Sequence, residues 1–191
     1  MNGRFLLIGA AVVAALQIGF LGWMIAGRAA ALRDGQEVLL KVEPIDPRDL
    51  LRGDFVRLGY EAGALPAAIF VPKLAAPGDY GQRDVWVLLR KDGDGVYQPA
   101  AAALDRSALP PAAAGEAVLR GTIPSLPDAE GTVTADYGIG RFYLPEGEGK
   151  QIEIDMRERP FYVVAAVGAD GSAQIKRFLD GTTVLYEEPF Y

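Results

Sequence analysis

The sequence of 191 residues contains neither cysteine nor histidine. The absence of cysteine excludes disulfide bonds, thiolate metal sites and cysteine nucleophiles. The absence of histidine removes the commonest general base at neutral pH and the commonest ligand of transition metals. Acid–base chemistry would therefore fall to Asp, Glu, Lys or Tyr, and no pair of these stands out by its spacing. We expect no cofactor, since the sequence also lacks a phosphate-binding loop and a dinucleotide fingerprint.

Positive charge is also scarce. Lysine and arginine together number 19 against 25 aspartates and glutamates, which gives a formal net charge of -6. Proteins bind nucleic acids mainly through Lys and Arg side chains that neutralise phosphates. We therefore expect that this acidic chain, which has no basic run, does not bind nucleic acid.

One long apolar run occupies residues 5–27, where Gln17 is the only strongly polar side chain. At 1.5 Å per residue, a helix of this length spans roughly 35 Å, enough for a hydrocarbon core of about 30 Å. We predict that residues 5–27 cross a lipid bilayer as an uncleaved anchor. Good helix formers continue to Gly35, so residues 1–34 are expected to form the anchor and its stalk. Trp23 fits either an interfacial position or helix packing.

Two alternatives to an anchor stay open, namely a secretory signal and a buried helix of a soluble protein. Arg4 and the alanines at 29–31 are similar to parts of a signal. However, the apolar core of a signal is usually about 7–15 residues long, and Arg28 stands where cleavage requires small neutral residues. Positive charges on both sides of the run leave the positive-inside rule nearly balanced. The short segment before the run favours a cytoplasmic N-terminus, with the domain outside the cytoplasm.

The remaining residues, 35–191, predict one compact, mainly β domain with one short helix. Short runs of β-branched, aromatic and leucine residues alternate with turn formers. In the helical segment Ile152 and Met156 are four residues apart, and Trp86 is expected in the core. The predicted strands cover 37–46, 54–62, 117–123, 131–137, 141–144, 161–167, 173–179 and 183–187, with a hairpin from Asp84 and a helix at 147–157.

The stretch DPRDLLRGDFVRLGY, residues 46–60, places three aspartates and three arginines around Gly53. We interpret it as a rigid turn, because Asp46-Pro47 starts a turn, Asp49 can cap it, and glycine permits backbone conformations closed to other residues. Two site hypotheses stay open, an anion clamp and a hard-cation site, although calcium loops need more oxygen ligands. The clamp would use Arg48, Arg52 and Arg57, and the cation ligands would be Asp46, Asp49 and Asp54.

Within that stretch, GDFVRLGY resembles the signature of the GDYXXLXY protein family. Gly53, Asp54, Leu58 and Tyr60 match it, whereas Phe55 replaces its first tyrosine and lacks the phenol hydroxyl. The similarity continues in PIDPRDLLR, GRFYLPEGEGKQIE and AQIKRFLDG. The resemblance implies a membrane-anchored bacterial protein, often encoded near multi-pass membrane proteins of unknown role, and brings no established activity. The signature residues, which we expect to be structural, are Asp46, Pro47, Arg48, Asp49, Gly53, Asp54, Phe55, Leu58 and Tyr60.

A fainter similarity is to the Ser/Lys proteases of the signal-peptidase and SOS-repressor class. A Gly-Asp turn that opens a strand and a later Lys-Arg pair occur in the same order, which would make Lys176 the general base. The nucleophile would fall at Pro44 or Ile45, and neither carries a hydroxyl. We therefore expect no catalysis of this type and an exposed strand position for Lys176, while a related β-rich fold stays open.

These features lead us to expect a non-enzymatic accessory or binding protein on the bacterial inner membrane, with one span and a periplasmic domain. Small residues in the anchor would let a helix of a multi-pass membrane protein approach closely, and Gln17 would favour a hydrogen-bonding neighbour. The alternative is a membrane-bound hydrolase related to Ser/Lys proteases. The small residues are Gly9, Ala15, Gly19, Gly22 and Ala26.

Overall fold

The N-terminal helix α1 runs from Gly3 to Asp34 in the computed structural model. Its segment Leu7–Asp34 is long and apolar enough to cross a membrane, and no residue in the most apolar part of this segment is buried. The prediction of an apolar N-terminal helix is confirmed. The helix ends where the N–H of Gly35 donates to the carbonyl oxygen of Ala31 at 2.9 Å. The structure describes residues 3–44, 55–74, 80–127, 131–143 and 149–189.

The part of the chain after α1 is rich in β-strands, as the sequence predicts. A short helix, α2 (Gly149–Glu158), lies close to its predicted position. The strands are β1 (Gln36–Pro44), β2 (Phe55–Tyr60), β3 (Ala64–Pro66), β4 (Tyr80–Lys91), β5 (Tyr97–Ala103), β6 (Glu116–Ser125), β7 (Thr132–Thr134), β8 (Arg141–Tyr143), β9 (Phe161–Val167), β10 (Ala173–Asp180) and β11 (Thr183–Glu187).

The prediction of a continuous strand at 131–137 is wrong in extent, because β7 ends at Thr134. Beyond it, Asp136 forms only an isolated bridge with Thr122. The carboxylate of Asp136 then accepts the N–H of Gly138 at 2.8 Å, and Gly138 adopts a φ of 76°. This tight turn suits glycine and takes the chain out of the strand.

Among the described residues, six strands form an antiparallel sheet in the order β11-β10-β9-β1-β2-β8. The sheet curls strongly, since Phe142 on β8 lies 5.0 Å from Tyr186 on the opposite edge strand β11, measured between ring centroids. Phe142 also lies 5.1 Å from Phe178 on β10. Two smaller sheets, β5-β4-β6 and β3-β7, complete the described fold.

The main core lies between the curled sheet and the three-stranded sheet. In β1, Val38 and Leu40 are fully buried, and Val42 is nearly so, which is the two-residue alternation expected of a strand with one buried face. Leu119 on β6 and Met156 on α2 belong to the same cluster. The inner faces of the two sheets and one face of α2 therefore share one apolar interior.

The last turns of α1 pack against β9 and β10, and Leu32 there is only 5% exposed. The helix therefore contacts the domain directly. The prediction that Trp86 lies in the core is wrong, because its side chain is only partly buried. It packs on a smaller cluster that includes Leu88, and the guanidinium of Arg120 lies 5.7 Å from its ring centroid.

Candidate functional site

The structure describes only the later part of the signature stretch, from Phe55 onward. Leu58 and Tyr60 on β2 are 2% and 7% exposed, so both side chains pack into the interior of the domain. The turn, the anion clamp and the cation site stay predictions. The signature and clamp residues outside the described ranges are Asp46, Pro47, Arg48, Asp49, Arg52, Gly53 and Asp54.

Tyr60 makes a long-range hydrogen bond from within the core. Its hydroxyl donates to the carbonyl oxygen of Ile139 at 2.8 Å. Burial raises the pKa of the Tyr60 phenol, and the nearby Asp136 carboxylate raises it further. The phenol therefore stays neutral and remains a hydrogen-bond donor at physiological pH.

Tyr137 forms a reciprocal bond, because its hydroxyl donates to the carbonyl oxygen of Ala62 at 2.6 Å. Its side chain is also buried, and burial raises the pKa of the Tyr137 phenol. We call Tyr60, Tyr137 and the carbonyl groups of Ala62 and Ile139 the tyrosine clasp. Each of two chain segments thus holds the other through one buried phenol.

Backbone hydrogen bonds run beside the clasp between the same two segments. The N–H of Leu58 donates to the carbonyl oxygen of Gly140 at 3.0 Å, and the N–H of Ala135 donates to that of Gly63 at 2.8 Å. Sequence reasoning missed Tyr137, whose only signal is its place before a Gly-Ile-Gly turn.

Gly121 on β6 makes room for the clasp. A Cβ atom at this position would lie 2.8 Å from Cδ1 of Tyr137 and 2.8 Å from the carbonyl oxygen of Asp136. Real Cβ atoms do not approach other atoms so closely, because non-bonded carbon contacts are optimal at about 3.5–4.0 Å and repulsive at shorter distances. The three-stranded sheet therefore packs directly against the clasp. This contact indicates that the clasp helps to hold the sheets together.

Lys176 is not an exposed strand residue, and that prediction is wrong. It is 9% exposed, and its Nζ lies 2.8 Å from Oε1 of Glu37 on β1. The neighbouring Arg177 reaches the other oxygen of the same carboxylate at 2.5 Å. The pairing between β9 and β10 shifts between Ile175 and Arg177, which makes Lys176 the extra residue of a β-bulge. A bulge turns two successive side chains to one face.

The ion pair of Lys176 differs from the setting of a lysine general base. Such a base must be neutral, which requires desolvation without a close anion. The hydrogen bond from Lys176 is the largest influence that lowers the pKa of Glu37, and Arg177 adds to it against the opposing effect of burial. Glu37 is therefore an anion at neutral pH.

Two of the described serines make local hydrogen bonds. The hydroxyls of Ser107 and Ser172 donate to Asp105 and Asp170, two residues before each serine. These bonds are typical of local turns. The described residues also contain no group of three or more acidic side chains that could hold a metal ion.

Comparisons with known proteins give one match. The model of the family described as GDYXXLXY protein matches residues 17–178. No curated protein and no solved structure matches the chain, so the faint similarity to Ser/Lys proteases gains no support. The match includes the C-terminal half of α1, the signature strand β2, the clasp and Lys176. This chain therefore belongs to the GDYXXLXY protein family.

Proposed function

We propose that this protein is a non-enzymatic accessory protein that is anchored in the bacterial inner membrane by α1 and docks there on a multi-pass membrane protein. The observation that carries the proposal is the exposure of the apolar surface of α1, which no described part of the domain covers between Leu7 and Met24. Lipid would accommodate such a surface, and so would the helices of a partner.

The small residues of α1 support docking on a helix. A Cβ atom on Gly19 or Gly22 would meet nothing within 4 Å, so these positions form an open notch. In membranes, helices associate where small residues let their backbones approach closely. Gln17 faces the other side of the helix, so its hydrogen-bonding neighbour would be a different helix. The small residues that share this face of the helix lie within about 60° of one another at 3.6 residues per turn, and they are Ala15, Gly19, Gly22 and Ala26.

A non-enzymatic role is supported by the chemistry of the polar groups within the fold. Lys176 is held in an ion pair with Glu37, and the phenols of Tyr60 and Tyr137 donate to backbone carbonyls. Each group is committed to a structural partner. None has the unpaired, tuned environment that acid–base catalysis requires.

Co-purification in a mild detergent tests the docking. Replacing residues 5–27 with polyleucine should abolish recovery of a multi-pass partner and leave the domain folded, since the domain core lies outside this segment. Gly19→Leu should lower recovery. Gly9→Leu is the matched control, because it also has nothing within 4 Å and lies about 120° from Ala15 around the helix.

Two outcomes would contradict docking through α1. One is recovery of every partner with the polyleucine helix, and the other is recovery of no partner from the unaltered protein. Either result would leave α1 as a tether only.

The proposed topology has a cytoplasmic N-terminus and a periplasmic domain. It is supported by the signal-anchor pattern of one long apolar span followed by a domain, because Arg4 before the span and Arg28 and Arg33 after it leave the positive-inside rule nearly balanced. Alkaline phosphatase fused after residue 40 or at Tyr191 should be active, and green fluorescent protein fused at the same places should be dark. Cytoplasmic reporter activity at both places would refute this orientation.

A further inference from the structure

A cleft of about 980 Å³ opens between the C-terminal end of α1 and the domain. The loop around Arg106 and the turn between β9 and β10 form other parts of its wall. Just before the cleft, Trp23 is 74% exposed on the helix, and exposed tryptophans in spans concentrate at the level of the lipid head groups. The cleft begins at Met24 and Gly27. It therefore opens at the head-group layer of the bilayer that α1 would cross.

The charged side chains of the cleft balance one another. Arg28 and Arg106 contribute two positive charges, and Asp34 and Asp170 contribute two negative charges. Hydrogen bonds from Ser172 lower the pKa of Asp170 and keep it ionised. Within the described ranges, Arg28, Arg106 and Asp34 form no ion pair, so their charges are available to a ligand. A ligand with one charge of each sign matches this arrangement.

Gln174 adds a requirement for a hydrogen-bond donor. Its side-chain oxygen is buried beside the cleft and has no hydrogen-bond partner among the described residues. A buried acceptor without a partner is unfavourable, and a ligand N–H would relieve it. A primary ammonium group has three such donors, whereas a quaternary ammonium group has none.

We propose that the cleft binds the head group of phosphatidylethanolamine from the adjacent leaflet. Arg28 and Arg106 bind the phosphate, and the carboxylates and Gln174 bind the ammonium group. The proposal rests on α1 as the proposed membrane anchor but not on the multi-pass partner, because this site is separate from the notch at Gly19 and Gly22. It would also fix the height of the domain above the membrane.

Native mass spectrometry of the full chain, released from nanodiscs, tests the proposal. The discs contain equal amounts of phosphatidylethanolamine, phosphatidylcholine and phosphatidylglycerol. One phosphatidylethanolamine should remain bound, with about tenfold less of either other lipid. Retention should fall stepwise through the mono- and dimethylated head groups, because each methyl group removes one N–H donor.

Two variants and a control locate the site. Arg106→Gln and Gln174→Leu should each reduce bound phosphatidylethanolamine to the level of phosphatidylcholine. Arg157→Gln on α2 is the matched control, because this exposed arginine does not line the cleft. Arg106 is exposed in a short turn, so its substitution tests the site even if Gln174→Leu impairs folding. Equal retention of the three lipids, preference for phosphatidylglycerol, or unchanged retention by Arg106→Gln would overturn the proposal.

Discussion

Replacing Tyr60 with phenylalanine removes one hydroxyl from the tyrosine clasp and leaves the ring in place. That hydroxyl donates to the carbonyl oxygen of Ile139 at 2.8 Å, and the two residues are 7% and 5% exposed. Water cannot readily replace the donor at this depth, so the change should lower the free energy of unfolding by about 1–3 kcal/mol. For a domain of this size, the melting temperature falls by roughly 2–4 °C for each kcal/mol.

Thermal unfolding of the full chain in detergent, followed by near-UV circular dichroism, measures this effect. Tyr97→Phe is the matched control, because Tyr97 is also 7% exposed but its hydroxyl bonds to no described residue. Its melting temperature should stay close to that of the unaltered protein. Tyr137→Phe should act like Tyr60→Phe, and the double variant should be non-additive by at least about 0.5 kcal/mol, because both bonds join the same segments. Equal melting of the Tyr60 and Tyr97 variants would refute the reasoning.

Two further changes test other parts of the fold. Gly121→Ala should lower the melting temperature, because its Cβ would lie 2.8 Å from Tyr137 and overpacking costs about 1–3 kcal/mol. Gly93→Ala is the control, because open space surrounds Gly93, and it should melt like the unaltered protein. Equal melting temperatures of the two variants would contradict the close packing at Gly121. The pKa of Glu37 is lowered from its ordinary value of 4.5. The ionised carboxylate therefore stabilises the fold above that pH, and this stabilisation is lost as the pH falls through the lowered pKa. Glu37→Gln should therefore melt lower than the unaltered protein at pH 7, with the gap closing in acid and narrowing in high salt, because the side chain is 42% exposed. A gap that widens in acid would contradict the ion pair with Lys176.

The features that could be predicted from the sequence are those set by local patterns. The helices α1 and α2 can be recognised from neighbouring residues alone, α1 from its apolar run and α2 from the spacing of Ile152 and Met156. The alternation that buries Val38, Leu40 and Val42 is equally local. These patterns were sufficient for the apolar helix and the β-rich class, but they do not say which strands pair.

The position of Lys176 could not be predicted, because it depends on one irregularity. A strict two-residue alternation would place Lys176 on the face opposite Ile175 and Arg177. The β-bulge adds a residue, and the side chains of Lys176 and Arg177 then meet the same carboxylate. Glu37 stands 140 residues before Arg177, so no local pattern links them.

The clasp shows how far a short signature specifies a structure. The resemblance to the family identified Tyr60 as a signature residue, but the acceptor of its hydrogen bond is 79 residues away. Tyr137 reciprocates over 75 residues. Tyr137 and Ile139 lie on a segment that contains no part of the signature stretch. Only the folded chain therefore reveals why a phenol is needed at position 60.

The location of the clasp explains why a signature can identify a family without identifying an activity. β2 lies between β1 and β8, and Tyr60 at its end bonds to the segment that leads into β8. That segment also pairs with β6 through Thr122 and Asp136, so the clasp connects the curled sheet to the three-stranded sheet. A residue at such a junction affects the whole domain, whatever the protein binds. Changes to Tyr60 should therefore alter the amount of folded protein, whereas changes on α1 at Gly19, or in the cleft at Arg106, should alter what the folded protein binds.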